Sequence, residues 1–457
     1  MLSTTFEPDA ARVERIAWAL RSVPRMAYSV PHVYPTAAPA YTHAPMAERP
    51  PLAHDQLRLY VHVPFCRYHC TFCYYAVRIG ADAEGMARYV RGLLAELAWV
   101  SPGTPLSQLF VGGGTPTALS PDLLDALLDG VFARTTRIAN TVHTVEASPE
   151  TVTPEHVEVL RRHGIGRVSM GIQTLDDSVL DTVHRDQTRA EALAACDLLV
   201  DSGLIANVDL IYGLPGQSEH AFLADLRALA ARGVPSVTLY SLRINERTPV
   251  TKAMRDADHF DLAGLMRWRA FVQRSAEDLG YTQTRWHTFK RLDSIARLHQ
   301  RLPCFDEDMA GFQFGIGSSA RSHLGYTIYR NHERIDAYLE RIERGQSPVE
   351  EVFPLAAEDR VTQFIARTLG DGGQLVRSHY EATFGREVDE DFGELLDRLV
   401  DADLLEDEDD RITLSESGKL LYDVVTLAFY PQRAREWLAS RVGLAAVGRN
   451  GHEAIAT

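Results

Sequence analysis

From Leu57 to Leu242, short β-rich runs alternate with longer stretches whose apolar residues recur at helical spacing. The runs are LRLYVHVPF, LSQLFVGGG, TVHTVEAS, RVSMGIQT, IANVDLIYG and SVTLYSL, and AEGMARYVRGLLAELAWV and DLLDALLDGVF lie between them. Near-continuous apolar strands separated by helices predict an α/β fold with a parallel sheet and helical crossovers. Six such units fit a partial (β/α)6 barrel with its site at the C-terminal strand ends; periodicity alone leaves a doubly wound sheet open. Beyond Leu242 the pattern predicts a helix around Leu262 to Leu279, and GFQFGIGSSARSHLG reads as a glycine-rich strand and turn. From Glu358, EDRVTQFIARTL, VRSHYEATFG and FGELLDRLVDADLL read as helices and LLEDEDDRITLSESG as a two-strand wing, a winged-helix-like α+β module. The chain thus divides into an N-terminal extension over the active site (1–50), the barrel (51–350), the winged-helix-like domain (351–437) and a flexible tail (438–457).

Charge changes the reading of that last domain. Most of the formal charge of −15 comes from Asp389 to Asp410, where twelve acids face one base, Arg398. Phosphate contact there would be repulsive, so the module reads as a lid or cap rather than a DNA reader. No run of 18 apolar residues occurs and the N-terminus lacks the pattern of a signal peptide. Five cysteines are too few for a secreted disulfide framework. A cytoplasmic protein with neither a nucleic-acid nor a membrane partner is expected.

The chemistry concentrates in YVHVPFCRYHCTFCYYAVR, where Cys66, Cys70 and Cys73 stand as CxxxCxxC directly after the first strand. Three soft thiolates at this spacing can hold three irons of a 4Fe-4S cluster and leave the fourth open. Zinc, with His62 or His69 as a further ligand, is the alternative. Gly112, Gly113 and Gly114 end the second strand, where backbone amides can approach a small zwitterion or simply make a tight turn. Glu146, Gln173, Arg185 and Asp209 follow at successive strand ends and read as one site.

With YVHVPFC, VGGGTPT, VEASPE, SMGIQT, VDLIYGLPGQ and GIGSSARS in order, the chain resembles radical S-adenosylmethionine (SAM) enzymes, in particular the group around oxygen-independent coproporphyrinogen III oxidase. The resemblance covers Tyr60 to about Tyr430 and implies a 4Fe-4S cluster and two SAM molecules. Tyr60, Gly113, Glu146 and the segment at Arg321 resemble contacts to the cluster-bound SAM. Phe72, Gly114, Thr115, Gln173, Arg185, Asp209 and Leu242 resemble contacts to the second. Oxidases of this type extend the triplet to CxxxCxxCxC, whereas the fourth position here is Tyr75. HVYPTAAPAY still echoes the oxidase's YPTA element. The departure at Tyr75 directs the expectation to class C radical SAM methyltransferases and cyclopropanases, which pass a methyl or methylene carbon to an sp2 centre of a natural product. Porphyrinogen or haem chemistry and a non-enzymatic haem chaperone are the alternatives. A small-molecule substrate, an electron donor such as flavodoxin or ferredoxin and a monomer are expected. The substrate pocket is expected from the N-terminal extension and the segment Arg285 to Phe314.

Overall fold

The computed structural model describes residues 8–23, 42–43, 52, 55–243, 248–250, 262–291 and 310–438. Every predicted run forms a strand: Leu57–Val63 (β1), Thr104–Gly113 (β2), Thr144–Ala147 (β3), Arg167–Gln173 (β4), Ile205–Tyr212 (β5) and Ser236–Ser241 (β6). They pair in parallel, in chain order. The crossover helices Ala83–Leu97, Pro121–Arg134, Pro154–Arg162, Arg189–Asp201 and Glu219–Ala231 each begin on a short polar cap. Asp82, Ser120, Thr153, Thr188 and Ser218 accept a backbone N–H of the first turn there, which satisfies donors that the helix leaves unpaired.

The strands alternate more sharply than their apolar content suggests. Leu59, Val61, Val145, Val168, Met170, Ala206, Val208, Val237 and Leu239 are buried on one face. The residues between them, Tyr60, His62, Glu146, Ser169, Asn207, Asp209 and Thr238, turn the other face into a polar lining. A seventh parallel strand, Gly311–Ile316, lies on the free side of β1, with Gly315 opposite Tyr60. It was expected only as a glycine-rich strand and turn, without a partner. β1 therefore has Gly311–Ile316 on one side and β2 on the other, while β6 continues into the antiparallel strand Thr288–Arg291. The path is open and no barrel closure occurs among the described strands. On the far side of Gly311–Ile316, Arg321–Gly325, Thr327–Asn331 and Val349–Pro354 extend the sheet antiparallel.

Contacts divide the chain into two compact units: residues 41–241 with 275–355, and residues 1–40 with 242–274 and 356–457. The boundaries at 50, 350 and 437 follow the chain continuously, whereas these units do not. In the second unit, helix Leu262–Asp278 supplies Arg269, whose guanidinium makes a two-pronged bond of 2.8 Å to each carboxylate oxygen of buried Asp423. Helix Ala10–Ala19 is bound there through Arg12 to Asp403 and through Ala19 O to Arg398. The winged-helix pattern is present: helices Ala357–Thr368, Arg377–Phe384 and Val388–Asp401 with a sheet of Leu375–Val376, Leu405–Glu408 and Arg411–Leu414. Part of its acidic run is matched, since Asp389 and Asp407 pair with Arg377 and Asp391 with Arg386. HVYPTAAPAY up to Tyr41, Cys304, most of the expected 285–314 pocket segment and the tail beyond 438 fall outside the described residues.

In the first unit a buried carboxyl ties helix Ala83–Leu97 to the turn after Gly311–Ile316. Glu96, 1% exposed, accepts from Gly317 N (2.8 Å), Asn331 Nδ2 (2.8 Å) and Tyr338 OH (2.7 Å). Burial outweighs these donors and pushes its carboxyl up to about 7. A carboxyl raised on folding favours the folded state below its unfolded value and loses that advantage as pH rises through the folded one. Relative to Glu96→Gln, the wild type is therefore expected to lose roughly 1 kcal/mol of stability between about pH 6 and pH 8. Denaturant titration at both pH values checks this; parallel loss in the two proteins would contradict it.

Candidate functional site

The cysteine loop is pinned at both ends. Phe65–Cys66 pairs in parallel with Arg78–Ile79, and Thr71 N donates to Val183 O at 3.0 Å, so the loop is fastened to the segment after β4. Within it, Cys73 N donates to Cys70 O at 3.1 Å. All three cysteines are free thiols. Cys66 Sγ lies 3.5 Å from Thr115 Oγ1, and Arg185 Nη1 donates to Cys70 Sγ at 3.5 Å. Burial pushes Cys66 up to about 11, with charge on Cys73 and Cys70 adding to the rise. Burial likewise raises Cys70, where Arg185 pulls back, and Cys73, where a backbone hydrogen bond does. Three clustered thiols that stay protonated without a metal and sit beside an arginine suit a positively charged iron–sulfur core, which takes them as thiolates and releases their protons.

The sulfurs are not all gathered at the spacing of a single zinc site. Sulfurs on one tetrahedral zinc stand about 3.8 Å apart, given Zn–S bonds of about 2.3 Å. Among the described residues the donor group gathered within 4.8 Å is Asp125, Asp129 and His163; the three cysteines are not drawn together in that way. At least one pair of the three therefore stands farther apart than a single tetrahedral zinc would hold them.

The glycine run lies against the base of this loop. Gly114 N donates to Val63 O and Thr115 N to Phe65 O, both at 2.8 Å. A side chain at Gly114 would meet the carbonyl carbon of Pro64 at 2.8 Å, so only glycine permits this approach. Gly113, at φ +116°, donates its N–H to Glu146 Oε2 at 3.1 Å, and a side chain at Gly112 would strike that oxygen at 2.6 Å. The run is thus a cradle between the thiols and Glu146.

On the polar face, Glu146 is pushed up to about 7, first by burial and then by Asp209. Asp209 is also raised by burial, against the charge of Arg167 and hydrogen bonds with Thr238, Ser169 (3.2 Å) and Asn207 (2.7 Å). Two buried carboxyls thus line this face, with the Arg167 charge within electrostatic reach of both. Tyr60 OH lies 2.9 Å from His62 Nδ1; burial holds the phenol protonated and pushes His62 down to about 4, leaving it neutral. A backbone hydrogen bond at Ala76 pulls the imidazole part of the way back up. His62 was weighed only as a zinc ligand; its place two residues after Tyr60 on the same strand face was the overlooked signal.

The other predicted residues divide. Arg185 is buried and bonded within the chain, to Gln187 Oε1 (2.8 Å), Ser148 Oγ (3.0 Å), Gly171 O and Cys70. Gln173 ends β4 at φ +72°, a left-handed conformation in a non-glycine residue. Arg321 is exposed at the start of Arg321–Gly325, and its charge reaches the Tyr60 phenol. Phe72 lies inside the cysteine loop. Leu242 is buried and belongs to the other compact unit. Cys66, Cys70, Thr115, Arg185, Gly112 to Gly114, Glu146 and Asp209 are the residues linked into one constellation by the contacts above.

Residues 60–229 match the Radical SAM superfamily. An oxygen-independent coproporphyrinogen III oxidase of Paracoccus denitrificans is 27% identical over 66% of this chain and 70% of its own. The heme chaperone HemW of Bacillus subtilis is 23% identical over 81% of this chain and 98% of its own. The solved structure of coproporphyrinogen III oxidase (HemN) from Escherichia coli superposes with a TM-score of 0.70 at 23% identity, covering 82% of this chain and 91% of that one, which shows a shared fold. Over residues 60–229 the chain thus resembles the Radical SAM superfamily, on a fold like that of HemN.

These relatives overturn the expected methyl or methylene transfer to a natural product. They are named for coproporphyrinogen oxidation and haem handling, and they match well beyond the cysteine loop. The expectation rested on Tyr75, which is 54% exposed and stacks on Tyr74. Among the described residues no helix is long and apolar enough to cross a membrane.

Proposed function

We propose that this radical SAM domain serves an enzyme acting on a tetrapyrrole, in the manner of an oxygen-independent coproporphyrinogen III oxidase. The observation that carries the reading is the joining of the thiol loop to a buried carboxyl pair through the glycine cradle, in a chain whose relatives handle porphyrinogen or haem. Cys66, Cys70 and Cys73 would hold the cluster, and Glu146 with the Gly113 amide would receive SAM. Bound together, cluster and SAM supply a 5'-deoxyadenosyl radical that takes a hydrogen atom from the substrate. Removal of that atom from the propionate carbon next to the pyrrole ring, then loss of carbon dioxide from the carboxylate and of one electron to an acceptor, would leave an alkene. Tyr60 and His62, neutral and buried, offer hydrogen bonds without adding charge near the carboxyls.

A second SAM belongs to the same proposal, with Asp209 and Gln173 on later strands as its receptors. Equilibrium dialysis of the reconstituted protein is expected to give two SAM per chain, and Asp209→Ala one; one per chain in both proteins would remove the second site. A small one-electron donor such as flavodoxin or ferredoxin, a monomeric state and no nucleic-acid partner complete the proposal. The haem-chaperone reading draws support from the HemW relative, which aligns over 98% of its own length. Anaerobic incubation with coproporphyrinogen III, SAM and reductant tests between them. A decarboxylated product identifies the enzyme; a stable haem Soret band without turnover identifies the chaperone.

A further inference from the structure

Two stacked aromatic pairs stand at the C-terminal ends of the strands, where neither the thiols nor the carboxyls account for them. Tyr74 and Tyr75 directly follow Cys73, with ring centroids 4.6 Å apart and planes inclined by 28°. Tyr240, next to last in β6, stacks on His287 at 5.2 Å and 26°. Tyr75 and Tyr240 are 54% and 43% exposed, whereas most large rings of this unit are buried. Exposed aromatic pairs at the polar face of a sheet mark a surface that a ligand covers. Both pairs stand on the C-terminal side of the parallel strands, Tyr75 after the loop that follows β1 and Tyr240 at the end of β6, and Tyr240 and Glu146 both lie within electrostatic reach of the Tyr75 phenol.

We propose that Tyr75, on its Tyr74 stack, and Tyr240, on its His287 stack, form an aromatic clamp for the pyrrole rings of a tetrapyrrole. The inference rests on the proposed tetrapyrrole reading and adds the residues that seat the ring. Flat π-faces recognise one another by offset stacking. In this arrangement Tyr75 does not relay protons or electrons. It replaces a cysteine of the oxidases with a platform, and so sets which ring system is held and how it lies over Glu146.

The test uses the cluster-reconstituted full chain and coproporphyrin III, the fully oxidised ring, titrated by fluorescence quenching. Wild type is expected to bind, and Tyr75→Ala and Tyr240→Ala to bind on the order of five- to tenfold more weakly, the loss expected for one stacked ring. Tyr75→Phe, which keeps the ring, should stay within about twofold of wild type. Iron content and the urea midpoint of each variant establish that it is folded. If wild type binds the ring and both alanine variants bind equally well, the clamp is overturned while the tetrapyrrole reading stands. If Tyr75→Phe loses as much as Tyr75→Ala, the hydroxyl rather than the ring face is the contact and the clamp is again overturned. If folded wild type binds neither coproporphyrin III nor haem, the tetrapyrrole reading and the clamp fall together.

Discussion

Replacing Cys66, Cys70 or Cys73 with alanine is expected to abolish the cluster and every reaction that depends on it. Wild type reconstituted without oxygen should carry about four irons and four sulfides per chain, with a broad absorbance near roughly 400 nm. Each single variant should fall to less than about one iron, because two thiolates cannot hold a cluster whose fourth iron must stay open. Cys196→Ala is the matched control: it is buried in helix Arg189–Asp201, away from the loop, and should keep its iron. The fold should survive the loop substitutions, since the loop is pinned by backbone bonds at Cys66–Ile79 and Thr71–Val183 rather than by the sulfurs. Iron and sulfide analysis beside circular dichroism checks both halves. Stoichiometric zinc in wild type with no uptake of iron would contradict the assignment.

The second large effect belongs to Glu146. Glu146→Ala is expected to retain the cluster but lose SAM binding roughly ten- to a hundredfold, the cost of a charge-assisted bond to a buried ligand. SAM carries a sulfonium and an ammonium, and the carboxyl must be ionised to attract them. Since burial pushes Glu146 up to about 7, the ionised fraction grows as pH rises through that value. Affinity for SAM should therefore increase roughly tenfold from about pH 6 to pH 8 in wild type and stay flat in Glu146→Gln. Calorimetric titration at a few pH values is sufficient. An equal pH dependence in the two proteins would move the titrating group elsewhere, with Asp209 next in line.

What could be read along the chain was whatever repeats locally. The six parallel strands were legible because Leu59, Val61, Val168, Met170, Val208 and Leu239 recur in short β-rich runs between capped helices. The metal loop was legible because three thiols fall within eight residues. The seventh strand was not placed, because Gly311, Gly315 and Gly317 weaken any strand signal and its partner β1 lies some 250 residues earlier. Gly315 is required there by packing that the sequence does not display, since a side chain would meet Arg321 O at 2.4 Å. Glu96 was passed over for the same reason: Gly317, Asn331 and Tyr338, which hold it, lie more than 220 residues downstream. Tyr75 shows the opposite error. A local departure from a motif was given authority over the whole fold, and its surroundings show a stacked, half-exposed ring at the rim of the site.

The most direct measurement follows one hydrogen atom. The reconstituted chain is incubated without oxygen with SAM, a low-potential reductant and coproporphyrinogen III deuterated on its propionate side chains. An enzyme acting on the tetrapyrrole transfers deuterium to 5'-deoxyadenosine and yields a tetrapyrrole that has lost carbon dioxide and two hydrogens from a propionate. Unlabelled 5'-deoxyadenosine, formed at the same rate with and without the porphyrinogen, would contradict it.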